Sequence, residues 1–293
     1  MTIRNHKLRA GIAFGAAVAT PLATVQAQTQ NSEDYTVIRT EGGMSESKFT
    51  QAKIGDLEDN EYSQGLYGSV EILRSVNNGW DWSVSATSQD LGSVNNFDNS
   101  EGGNVNTGFS SKSIDFDIGK NFQRNYVDLR LSAGLTALQL EEQKGLSAFN
   151  GPPDGYPFTS DVSSKYLGFG GRLGIDGKLQ LGENSPLSIF AGASTSITHG
   201  QHDMRKGLSF YEESEQDSID RVELSQAMTT SDKVNHTSAN IGLEVEAGNN
   251  TTFRIGVRHD KYSFEDTDSL FGDIISGDSI SGNTGYVGVA IRF

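Results

Sequence analysis

The chain has five histidines. Imidazole serves as base, acid and metal ligand near neutral pH. His199-Gly-Gln-His202-Asp203 gathers two imidazoles and a carboxylate in one short run. An Asp/His pair of that kind activates water, and two histidines three apart are half of a metal site. His259 and Ser263 form a second candidate, a base four residues from a hydroxyl. A nucleophile also needs a base within hydrogen-bond reach and a third group to orient that base. No stretch of the sequence supplies the set, so the expectation is no catalytic residue, no metal and no cofactor. Asp and Asn clusters in the polar stretches are the right ligand type for Ca²⁺, but no twelve-residue loop has the required spacing.

The other charges with a pattern lie at alternate positions between apolar residues. They are Glu71, Asp81, Asp115, Asp117, Asp128, Arg130, Arg172, Asp176, Glu244, Glu246, Arg254, Arg258 and Arg292. Opposite charges recurring mid-strand among Gly and Ser suit a narrow polar lumen, where an unpaired charge is costly. These thirteen residues are the expected pore-lining set.

Strands must position them. Leu66, Val70 and Ile72 alternate with Tyr67, Ser69 and Glu71, and the tight-turn signal Asn77-Asn78-Gly79 follows. Trp80, Trp82 and Val84 then oppose Asp81, Ser83 and Ser85, with the tryptophans placed for an interfacial girdle. The same alternation covers Ile114–Ile118, Val127–Ala137, Leu167–Ile175, Leu187–Ile197, Ala239–Val245, Phe253–Val257 and Tyr286–Phe293. Short turns near residues 78, 122, 184 and 249 alternate with polar stretches expected to be long loops at 88–111, 141–163, 199–233 and 265–282. Short periplasmic turns facing long extracellular loops are the build of a transmembrane barrel. A soluble sandwich mixes its loop lengths between both ends.

Nine strands are clear, and an even count needs Asp34–Thr40 as a tenth. The expected fold is an all-β, antiparallel, up-and-down transmembrane barrel of about ten strands. Eight and twelve are the alternatives; twelve would follow if Leu208–Tyr211 and Val222–Leu224 hide a further pair.

Residues 1–27 read as a signal peptide: a basic Arg4/Lys7/Arg9 region, an apolar stretch and the small-x-small Val25-Gln26-Ala27. Residues 28–293 then form one barrel domain, with 28–63 poorly patterned. The net charge of −15 opposes a nucleic-acid partner. The absence of cysteine in an exported chain asks for stabilisation by strand closure.

The run Gly168-Phe-Gly-Gly-Arg172-Leu-Gly-Ile-Asp176-Gly-Lys-Leu-Gln-Leu-Gly182 resembles the Legionella-type major outer-membrane protein family. So do Leu187-Ser-Ile-Phe-Ala-Gly192, Asn125-Tyr-Val-Asp128-Leu-Arg130 and the Trp80-Asp81-Trp82 hairpin. The resemblance implies a pore-forming barrel of the Gram-negative outer membrane. Its partners would be outer-membrane lipids and lipopolysaccharide, the barrel-assembly machinery and possible copies of itself. The last strand also resembles outer-membrane barrels in general, with Tyr286 and the C-terminal Phe293 as the assembly signal. The expected function is a porin-like channel for ions or small solutes. The alternatives are a closed structural or adhesin-type barrel with a salt-bridged lumen, and a barrel hydrolase. Neither His202/Asp203 nor His259/Ser263 matches omptin-like proteases or lipid A deacylases well.

Overall fold

The computed structural model describes residues 34–48, 62–98, 103–150, 156–182, 185–213, 219–248, 250–265 and 279–293. The expected signal peptide, residues 1–27, lies outside the described residues. Ten strands are present among those described. They are β1 (Thr36–Lys48), β2 (Tyr62–Val76), β3 (Trp80–Asp98), β4 (Gly103–Arg124) and β5 (Val127–Asn150), then β6 (Tyr156–Gln180), β7 (Leu187–Glu213), β8 (Ile219–Ala247), β9 (Thr251–Glu265) and β10 (Ser279–Arg292). Each pairs antiparallel with its sequence neighbours, and β1 pairs with β10, so the sheet closes into one barrel. Closure leaves no edge with unpaired backbone groups, as an apolar solvent requires.

The seam carries the weakest sequence pattern in the barrel, yet it is fully paired. Val37 faces Arg292, Arg39 faces Ala290 and Glu41 faces Gly288, and the ladder runs to Ser47 opposite Gly282. Beyond it, the Thr36 N–H donates to Phe293 O at 3.2 Å and the Phe293 N–H returns to Thr36 O at 2.8 Å. The expected short strand at 34–40 therefore continues through Glu41-Gly-Gly-Met, which the composition alone reads as a loop. Two glycines lower strand propensity, but a register held on both sides outweighs them.

The expected long loops are a larger correction. Most of 88–111, 141–163 and 199–233 is strand, since β7 and β8 stay paired from Leu187 opposite Val245 to Glu213 opposite Ile219. Leu208 faces Leu224 and Phe210 faces Val222, so these segments lengthen one hairpin and add no eleventh and twelfth strands. The reason is solvent. Where both faces meet water, hydrophobic alternation disappears while backbone pairing persists. Most of the fourth stretch, 265–282, lies outside the described residues, although β10 already begins at Ser279.

At the other end the turns are tight. Asn78 at φ 64°, Gly79 at φ 70° and Asn125 at φ 53° take the left-handed conformation that hairpin turns need. The outer face near these turns carries Trp80, 48% exposed, with the Lys120 ammonium 5.1 Å from its ring centre. Above lies a band of outward Leu, Ile, Val and Phe, from Leu66 and Ile72 through Leu131, Leu173, Ile241, Ile255 and Val287. So much exposed apolar surface is stable only against hydrocarbon.

Candidate functional site

Among the described residues, the inward face gathers polar groups in depth. Strand alternation sends all thirteen expected lumen residues inward, and they fall into ion-paired sets. Arg130 lies between Asp81 (2.7 Å) and Asp176 (3.6 Å), with Asn121 donating to the same Asp81 at 2.5 Å. Arg172 pairs with Asp117, and its Nε lies 4.0 Å from Asp115. Arg254 bridges Glu41 and Glu244 at 2.9 Å each, with its guanidinium over the Phe190 ring at 3.9 Å. Arg258 forks onto Asp260 at 2.8 and 2.9 Å. Glu246 accepts from Lys178, Asp128 lines the same space, and Arg292 stacks over Tyr35 at 3.9 Å. Glu71 pairs with Arg39 at 2.5 Å.

Sequence reasoning missed Arg39, Glu41, Lys178, His236 and Asp260. Lys178 lies two after Asp176 and Asp260 two after Arg258, so extending the alternation by one step finds those two. His236 lies eight residues before Glu244 on the same face, and Arg39 and Glu41 belong to β1, where no charge was selected.

Twelve of the thirteen line a polar cavity of about 540 Å³ in the half of the barrel near the short turns. The exception, Asp81, has its side chain wholly covered by Arg130 and Asn121. Toward the long hairpins the cavity narrows against Tyr67, Phe190 and Tyr286, which form a buried cluster. Tyr286, expected to serve assembly, points into the barrel 5.9 Å from Tyr67, while Phe293 is half-exposed.

Further along, buried apolar side chains fill the interior. Leu91, Phe109, Leu138, Leu140, Tyr166, Val234, Tyr262 and Ile280 form one buried cluster drawn from seven strands. Leu91 reaches it through an irregularity between Asp90 and Ser93, where Gly92 sits at φ 79° and donates to the Asp90 carboxylate at 2.8 Å. Tyr262 of β9 donates to Ser111 of β4 at 2.8 Å. Those strands are five apart in a ring of ten, so a single hydrogen bond crosses the barrel from wall to wall. Gln89 of β3 donates to Thr284 of β10 at 2.9 Å beside it. The interior is closed at this level by a plug of aromatic and aliphatic side chains.

Two histidines flank the plug. His236 stacks on Tyr262 with ring centres 4.4 Å apart and lies 3.0 Å from Asp260. His202 stacks on Phe264, and it sits 2.5 Å from Ser164 Oγ through Nε2 and 3.1 Å from Asp232 through Nδ1. That is the connectivity of a nucleophile, base and orienting acid. It was invisible in the sequence because its members come from β6, β7 and β8. His202 is buried, however, and β6, β7 and β8 are paired with one another through all three residues.

The pairs suggested by proximity along the chain do not form. His199 and Asp203 point outward while His202 points inward, since odd separations in a strand reverse the face. His259 and Ser263 share the outer face, but four residues of strand separate them and His259 bonds Asn283 at 2.8 Å. Among the described residues no three His, Cys, Asp or Glu side chains group as a metal site.

A family model described as Legionella pneumophila major outer membrane protein precursor matches residues 47–255. No curated protein matches the sequence. Among solved structures, the outer membrane protease OmpT from Escherichia coli aligns at 11% identity and TM-score 0.42, over 92% of this chain and 99% of that one. A major outer membrane protein from Thermus thermophilus aligns at 10% and 0.34, over 87% and 99%. The Pseudomonas putida toluene transporter TodX aligns at 9% and 0.34, over 90% and 89%. Likenesses this distant bear on no function.

Proposed function

This chain belongs to the Legionella pneumophila major outer membrane protein family, and from that premise we propose that it is a closed outer-membrane barrel. In this reading it braces the envelope and carries tall β-hairpins outward, and its lumen is sealed to passive solute flow. The observation that carries the reading is the Tyr262–Ser111 bond across the whole barrel within a buried cluster of apolar side chains. The ion pairs below the plug then act as internal struts between strands.

The expected result is that refolded wild-type protein gives no channel steps in a planar bilayer over a wide voltage range. A second reading, a gated porin-like channel for ions or small solutes, is favoured by the charged cavity beneath the plug. Reproducible steps from the wild type would select it.

A barrel hydrolase rests on Ser164, His202 and Asp232. A fluorophosphonate probe is expected to leave Ser164 unmodified in the folded protein, because the serine and its base are buried. Stoichiometric labelling that His202→Ala abolishes would make the protein a hydrolase.

The proposed route of assembly uses an exported precursor and the barrel-assembly machinery. Deleting Phe293 removes both Thr36 seam bonds and the terminal aromatic. The expected result is a marked loss of heat-modifiable protein from the membrane fraction, with unfolded chain accumulating instead.

A further inference from the structure

Outside the barrel, one row of side chains crosses four strands at the edge of the apolar band away from the short turns. Ala137 of β5 faces Phe169 of β6, Phe169 faces His199 of β7, and His199 faces Lys233 of β8. With Leu167 and Gln201 above them, these residues line an open groove of about 850 Å³ on the outer wall. One end of the groove is apolar, Phe169 and Leu167 being 59% and 58% exposed. The other end presents an imidazole and an ammonium side by side, at a cross-strand spacing of roughly 5 Å, and the Asp232 carboxylate that also lines it is turned inward, bonded to His202 and the Lys233 N–H. Below the row, Gly171 opens a notch in the wall, since a Cβ built there meets nothing within 4 Å. Exposed Leu173 and Ile197 border that notch.

The arrangement has an order: apolar notch, aromatic edge, then an imidazole beside an ammonium. It matches a molecule with acyl chains below and an anionic headgroup above. In a chain of net charge −15, two adjacent outward donors at this height are a local departure. Short turns mark the periplasmic end, so the row stands at the outer leaflet.

We propose that this groove binds a phosphorylated glycolipid of the outer leaflet, with His199 and Lys233 holding a headgroup phosphate and Phe169 and the Gly171 notch seating an acyl chain. Lys and His⁺ give charge-assisted hydrogen bonds to phosphate oxygens, and such bonds strengthen where lipid excludes water. Basic pockets at a membrane surface recognise anionic headgroups on the same grounds.

The test uses the full barrel in detergent micelles, with bound lipid counted by native mass spectrometry. The probes are bis-phosphorylated lipid A, its dephosphorylated form and inorganic phosphate. The wild type is expected to prefer the phosphorylated lipid by about tenfold. A His199→Ala/Lys233→Gln variant should lose that preference, while Lys112→Gln, an exposed cation on β4, should keep it. Heat-modifiable migration confirms that each variant is folded. Equal binding of the dephosphorylated lipid, or an undiminished preference in the double variant, overturns the site. So does inorganic phosphate that displaces the lipid fully, since the groove would then hold an ion alone.

Discussion

Cutting the plug is expected to turn a silent barrel into a conducting one. A Tyr262→Ala/Leu138→Ala variant should give discrete channel steps in planar bilayers under conditions where the wild type gives none. Tyr262 is the residue that spans the interior to Ser111, and Leu138 fills the space beside it. Truncating both removes the wall-to-wall bond and leaves a gap in a buried cluster whose remaining members belong to different strands. The change is not free of structural consequence, because Leu→Ala in a packed core costs about 2–5 kcal/mol. The barrel ladder itself is untouched, so folded variant should still show heat-modifiable migration. With the plug open, the charged cavity becomes the narrowest polar path, and substitutions at Arg172 or Arg254 should alter ion preference. A folded variant that stays silent would mean that the Tyr67, Phe190 and Tyr286 cluster alone seals the lumen.

The second large effect is expected at Arg254. Its guanidinium is nearly covered, as are Glu41 and Glu244, and it joins β9 to β1 and β8. Arg254→Met keeps the packing against Phe190 but leaves buried Glu41 with only the Tyr67 hydroxyl and Glu244 with only Lys178. Removing one partner from a buried ionic set costs about 3–5 kcal/mol, far more than the pair contributes against an apolar substitute. The expected result is a clear fall in the denaturant midpoint of the refolded barrel. Adding Glu41→Gln and Glu244→Gln to Arg254→Met should recover most of the loss, because no buried charge is then left alone. No loss in Arg254→Met would mean that water reaches these carboxylates, and the struts would lose their structural role.

Both predictions concern residues whose facing was legible in the sequence. Arg254, Glu244 and Arg258 were placed inward by period-two alternation, which the pleat of a strand imposes whatever the tertiary fold. The ten-strand count followed from nine patterned strands and the need for an even number, which called on Asp34–Thr40. The length of the strands did not follow, and β7 to Glu213 and β8 from Ile219 show why. Outside the apolar band, neither face needs hydrophobic residues, so backbone pairing leaves little mark on composition.

The plug and the Ser164–His202–Asp232 contact were illegible for another reason. Alternation says that Leu138, Val234 and Tyr262 point inward, and it does not say how far across the barrel each one reaches. That distance depends on strand number, tilt and register together. It is set when β1 meets β10 and fixes the diameter, bringing Tyr262 within hydrogen-bond reach of Ser111 on the opposite wall. From its own residues the sequence determined a membrane-facing barrel with a charged inner face. Whether that inner face encloses a passage or a sealed core was decided by tertiary closure, because only closure sets the distance between walls.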